Sequence, residues 1–173
     1  MTTYIKPSDV EVDTNVYVSH QVKYSTINSH KMIEQFRKMC KAARRTIIPE
    51  INKKANKKLS IRFVLRHIKA NGVAGRCMGN KKYICVEIDF GINGSLKRLA
   101  KTLAHELVHA EQYMTGRLEW NMNKACWMWE SKKCLNMGTT HNTYMNQPWE
   151  KEAYERQDQG ANQLITFYND KWM

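Results

Sequence analysis

Between Ser95 and Gly116 the residues Leu96, Leu99, Leu103 and Leu107 recur at spacings of three and four, with Ala100, Ala104 and Val108 beside them. This is the 3.6-residue period of an α-helix, and it gives one apolar face that has to be buried. Asn93-Gly94-Ser95 opens the helix and Gly116 marks its stop. The other elements must be arranged around that face.

Inside this segment lies His105-Glu106-Leu107-Val108-His109. Positions i and i+4 sit one helical turn apart on one face, so both imidazoles can reach a single Zn²⁺ at about 2.0–2.1 Å. Neutral imidazole donates a lone pair without cancelling the cation's charge, which preserves the Lewis acidity that brings bound water towards a pKa of ~7. Glu106, one residue from the first ligand, cannot easily join the same coordination set. It can reach the water and act as general base. A thiolate-rich structural zinc site is disfavoured, because no cysteine is close to the motif in sequence.

Two histidines need a third ligand, and the candidates are Glu150, Glu152, Glu155 and His141. Pro148 starts a helix expected to run from Trp149 to Gln159, a rigid place from which a carboxylate can face the first helix. Glu150 and Glu152 are about 200° apart on that helix, so only one points inward. Spacing alone does not choose, although of the expected core contacts Trp149, Ala153 and Tyr154 the first two share a side with Glu150. Tyr144, Tyr154, Arg156 and His141 are open candidates for stabilising an oxyanion.

Elsewhere the pattern is mixed. Alternating Val10, Val12, Val16, Val18, Val22 and Tyr24, broken at Asp13-Thr14-Asn15, suggest a strand or hairpin. From Asn28 or Ser29, Met32, Phe36, Met39, Ala43 and Ile47 mark an amphipathic helix, interrupted by Pro49 and followed by a second helical piece to about Lys58. Strands are expected over Ser60 to Ile68, through Val73 and Cys77, and over Lys82 to Phe90. Cys126 to Glu130 and Cys134 to Met137 read as a hairpin turning at Ser131-Lys132-Lys133. The expected organisation is a hairpin extension over 1–27 and a single domain over 28–173.

The 173 residues are 42% apolar with five Trp, enough to offset the entropy of folding. No apolar run approaches the roughly 20 residues of a membrane span, and the N-terminus lacks a signal-peptide pattern. Five cysteines without a C-x-x-C pair suggest reduced thiols and a cytoplasmic location. Residues 1–82 hold 18 Lys and Arg against 5 acids, net +13, while the rest is net −1. The dense block over 31–69 suits a nucleic-acid backbone, contacted through phosphates in a salt-sensitive way, as well as it suits a solvated basic face.

The order Ala74-Gly75-Arg76-Cys77, then Ile84-Cys85-Val86-Glu87-Ile88, then Leu99 through His109-Ala110 resembles SprT-like and gluzincin-like zincin metallopeptidases. Gln147-Pro148-Trp149-Glu150-Lys151-Glu152-Ala153-Tyr154 is similar to the P-W-E-x-E-A-Y segment of short zincin-like proteins of bacteriophages and bacteria. The likeness covers roughly residues 60 to 158. It implies a minimal zincin-like α+β fold, with a basic N-terminal helix on a small twisted mixed sheet, the active helix below an edge strand, and a C-terminal helix supplying the third ligand. By the E-x-x-A spacing it implies that Glu150 joins His105 and His109, with Ala153 as the matching Ala. Tyr154 stands where many gluzincins have Asp, and the third His and C-x-x-C ribbon of SprT-like proteins are not evident.

The resulting expectation is a zinc metalloprotease acting on a protein or peptide with Glu106 as base, in a host cytoplasm or a virion if phage-encoded. Substrate would join the edge strand, expected at Tyr83 to Phe90, main chain to main chain. The alternative is a basic nucleic-acid-binding, virion-associated or host-interaction protein with a structural or vestigial zinc site.

Overall fold

The computed structural model describes residues 9–23, 27–68, 72–133 and 141–173. Two strands, β1 (Asp9–Asp13) and β2 (Val16–Ser19), form the N-terminal hairpin. A short helix α1 (His20–Lys23) leads on to α2 (Ile27–Thr46) and α3 (Ile48–Ala55). Then come β3 (Ile61–Arg66), β4 (Gly75–Gly79) and β5 (Ile84–Asp89). The long helix α4 spans Leu96–Met114, followed by β6 (Leu118–Asn121), β7 (Cys126–Trp129) and β8 (Lys132–Lys133). The chain closes with α5 (His141–Met145) and α6 (Pro148–Trp172). The fold is mixed α+β.

The main sheet runs β1-β2-β3-β5-β4, with β2, β3 and β5 parallel and the two outer pairs antiparallel. β2 pairs with β3 and buries Val16 and Val18 completely, so the described part of 1–27 is joined to the sheet. Phe36, Met39 and Ala43 of α2 lie in the same core as Phe63 and Leu65 of β3 and Ile84, Val86 and Ile88 of β5. The second sheet, β6-β7-β8, is antiparallel.

One expectation is corrected by this order. The strand over Tyr83 to Phe90 is interior, because β5 lies between β3 and β4 and all six of its residues are buried. Ile84, Val86 and Ile88 fill one face, and on the other the buried Glu87 is paired with Arg66 and Arg76. Among the described residues the edges are β1 and β4, and the one against α4 is β4, whose two glycines and exposed Arg76 leave it poor in apolar side chains.

α4 starts where Ser95 accepts the Arg98 amide at 3.2 Å, and it ends before Gly116, whose φ of +74° needs glycine. It packs on β4, β5 and α6. α6 continues through Gly160 to Trp172 instead of stopping near Gln159, because that glycine lies against α4: a Cβ there would come within 3.0 Å of the Ala104 Cβ. The β7–β8 hairpin turns at Glu130-Ser131, both at positive φ, and Lys132 and Lys133 belong to the strand. The expected return strand over 134–137 lies outside the described residues.

Candidate metal centre

Two helices carry the site. His105 and His109 project from one face of α4, and Glu150 sits in the first turn of α6, where Pro148 fixes the start of the helix. Glu150 Oε2 is 3.3 Å from His105 Nε2, and Oε1 is 3.3 Å from His109 Nε2. The two Nε2 atoms are 3.2 Å apart. Each residue offers one ligand atom, and these atoms lie within 4.8 Å of one another. The Glu150 side chain is only 3% exposed.

The rival carboxylate goes elsewhere. Glu152 accepts from Arg117 at 2.8 Å and Arg156 at 2.8 Å, and so belongs to an ion-pair network behind the site. Arg156 also holds Glu111 at 2.7 Å, which takes it away from the histidines. Glu155 is exposed on α6. His141 opens α5, and its side chain is outside the described residues.

A residue that spacing did not single out fixes the second histidine. Gln112 is fully buried, and its carbonyl oxygen lies 2.8 Å from His109 Nδ1. Its amide nitrogen donates to the Trp149 carbonyl at 3.0 Å and to Glu152 Oε2 at 3.2 Å. Two acceptors orient the amide, so its oxygen faces His109 and Nδ1 carries the proton. The Nε2 lone pair of neutral His109 therefore points at Glu150. The i, i+3 spacing from His109 to Gln112 was the available signal.

Burial alone would lower the His109 pKa, but the hydrogen bond that a protonated Nε2 donates to Glu150 and the charges of Glu106 and Glu150 push it up to about 9. Burial would raise Glu150, yet hydrogen bonds from His105, His109 and Tyr144 bring it down to about 2. Acceptors facing acceptors at this spacing repel unless a positive charge lies among them, either a proton or a cation. His105 Nδ1 is buried without a hydrogen-bond partner. Two imidazoles and a carboxylate are a fitting donor set for a borderline divalent ion such as Zn²⁺, which would compete with the proton.

Glu106 faces β4. A Cβ added at Gly75 would lie 3.0 Å from Glu106 Oε1 and 2.7 Å from Thr102 Cγ2, so glycine allows α4 to sit against the edge strand. Thr102 donates to Asn93 at 2.7 Å, and Asn93 donates to the Ala74 carbonyl at 2.7 Å, which ties the start of β4 to α4. Burial first, and the Glu150 charge after it, push the Glu106 carboxyl above its ordinary value, with His109 and His105 pulling it back.

Two of the oxyanion candidates border the cluster. Tyr144 hydrogen-bonds Glu150, and Tyr154 stands edge-on to His105 with centroids 4.7 Å apart. A cavity of about 330 Å³ opens over Gly75, Glu106, His109 and Glu150, walled by Trp127 and Trp149.

The chain matches no protein-family model, no curated protein and no solved structure.

The basic block over 31–69 is partly neutralised. Glu34 and Asp13 pair with Arg37, Lys38 and Lys41, Glu111 holds Lys54, and Arg66 is buried beside Glu87. Lys31, Arg45, Lys53, Lys57, Lys58 and Arg62 are exposed. Among the described residues no helix is long and apolar enough to cross a membrane, and Cys40, Cys77, Cys85 and Cys126 are free.

Proposed function

We propose that this chain is a zinc-dependent peptidase of minimal zincin-like architecture, hydrolysing peptide bonds of an extended protein or peptide segment. The observation that carries this reading is the convergence of His105, His109 and Glu150 from two helices, with buried Glu106 beside them against an edge strand. His105 Nε2, His109 Nε2 and a Glu150 oxygen would hold the metal. Zinc, when bound, supplies Lewis acidity to the carbonyl under attack.

The protein's own groups do the rest. β4 carries no strand on its outer side among the described residues, so an incoming peptide can pair with its main chain. Such a peptide would pass Gly75, beside Glu106. The Glu106 carboxyl, raised by its burial, is suited to take a proton from the attacking water and deliver it to the departing amine. Tyr144 and Tyr154, both partly exposed at the rim, offer hydroxyl groups to the developing oxyanion.

The test is metal content by elemental mass spectrometry, followed by cleavage of a peptide library by the zinc-loaded protein. Wild type should carry about one zinc per chain, lost in His105→Ala and Glu150→Ala but kept in Glu152→Ala and His141→Ala. Glu106→Gln should keep zinc and lose cleavage. A wild type that takes up no zinc, or holds it equally well as Glu150→Ala, refutes the proposal.

A second reading rests on the exposed lysines and arginines of α2, α3 and β3, which suit a nucleic-acid backbone. It requires DNA or RNA binding that weakens steeply with salt and is indifferent to Glu106→Gln.

A further inference from the structure

Beyond the metal cluster, the cleft continues into a second cavity of about 820 Å³. The two share Cys77, Tyr113, Leu118 and Trp127, so a chain lying along β4 would pass from one into the other. The far cavity is walled by Met78 and Gly79 of β4 on one side and by Trp120 and Met122, on β6 and just beyond it, on the other. Trp120 and Trp127 stand edge to face with centroids 5.3 Å apart, and Tyr113 lies 5.9 Å from Trp127.

Exposed apolar surface collects around this cleft. Of the five large hydrophobic side chains exposed among the described residues, Trp120 and Met122 line the far cavity, at 46% and 80% exposure, while Tyr144 and Tyr154 border the metal cluster. A half-exposed Trp beside an almost fully exposed Met costs solvation that folding does not recover, which marks a surface awaiting an apolar occupant. Ring faces and thioether sulfurs favour an aromatic one. The rim carries Lys81, paired with Glu119, and exposed Lys82, which disfavours a basic residue.

We infer that the Trp120–Met122 cavity is a specificity pocket, receiving a large aromatic side chain of the peptide that pairs with β4. The inference rests on the peptidase reading of the neighbouring cluster for the path of the peptide. Strand residues advance about 3.3 Å each and alternate sides. Residues opposite Met78 and Gly79 lie three and four positions from the one opposite Gly75, which sits beside Glu106, and this places the aromatic residue three or four positions from the bond that is cut.

The test separates binding from cleavage. Fluorescein-labelled peptides differing only by Phe, Ala or Lys at one scanned position are titrated into zinc-loaded Glu106→Gln protein by fluorescence polarisation. The same peptides are incubated with wild type and read by mass spectrometry. At one position Phe should bind roughly tenfold or more tighter than Ala, as burial of one ring implies, with Lys weaker still. In Trp120→Ala and in Met122→Ala, each checked by circular dichroism, the Phe-to-Ala ratio should fall below about threefold. A Phe preference abolished by Trp120→Ala but without cleavage by wild type supports the pocket and refutes the peptidase. Cleavage by wild type with no Phe preference, or with a preference unchanged in both variants, overturns the pocket and leaves the peptidase standing; binding with no Phe preference and no cleavage, or no binding of any peptide and no cleavage, overturns both.

Discussion

Replacing Gln112 by Met keeps the length of the side chain and removes its polar end. The His109 Nδ1–H and the Trp149 carbonyl then lose partners they now have at 2.8 and 3.0 Å, in a place where Gln112 itself is fully buried. Glu152 still has Arg117 and Arg156, so its charge is not orphaned. Each buried group left unsatisfied costs about 1–3 kcal/mol, and the better burial of Met returns part of that, so a net loss of about 2–3 kcal/mol is expected. For a chain of this length it corresponds to a fall in Tm of roughly 5–10 °C. Urea unfolding followed by tryptophan fluorescence in the presence of a chelator isolates this effect from metal binding. With metal restored, zinc affinity should drop by about 10- to 100-fold, because the His109 ring loses the group that orients it. Gln112→Glu keeps an acceptor for His109 but sets a carboxylate against the Trp149 carbonyl and Glu152, so it should be no more stable than Gln112→Met at pH 7 and should recover on acidification. If Gln112→Met unfolds within about 0.5 kcal/mol of wild type, the amide does not tie the two helices together as argued.

Gly75→Ala places a methyl group against Thr102 and Glu106, so peptide cleavage should fall by about 100-fold while zinc content, read by elemental mass spectrometry, is unchanged. Gly160→Val forces α6 away from Ala104 and should cost about 1–3 kcal/mol in urea unfolding. Burial would raise the Glu111 carboxyl, but its bonds to Arg156 at 2.7 Å and Lys54 at 2.9 Å win and hold it below its ordinary 4.5. Its stabilisation is therefore complete above pH 4.5 and is lost as pH falls through the lower folded-state value. Glu111→Gln should be less stable than wild type at pH 7, and the gap should close on acidification, measured as ΔG of unfolding from pH 7 to pH 3.

The helices were the legible part of this chain. Leu96, Leu99, Leu103 and Leu107 report their own local period, and Ser95 and Gly116 punctuate it without help from distant residues. Glu150 against Glu152 could be leaned towards but not decided from spacing, because which face of α6 turns inward is settled by its contact with α4 and by Arg117, thirty-five residues from Glu152. The order of strands is a property of pairing, so β5 was easily mistaken for the edge, and Glu87 and Asp89, which break its apolar run, hid the burial of all six residues. β6 escaped notice because four residues, Leu118-Glu119-Trp120-Asn121, carry too short an alternation to stand out. Gly160 reads as a helix stop in sequence, and only the facing Ala104 explains why the helix runs through it.

A strand that pairs on one side only among the described residues also confronts every other copy of the same chain. β4 offers its free edge to any extended backbone, and a sibling's β4 is the neighbour always present in a concentrated solution. Its five residues, with a glycine at either end and Arg76 exposed between them, make a short template. The formal charge of +12 adds mutual repulsion between copies, and that repulsion weakens as salt screens it. Self-pairing is therefore opposed most strongly at low ionic strength, so storage and assay conditions would set how much of the open edge is available to a guest.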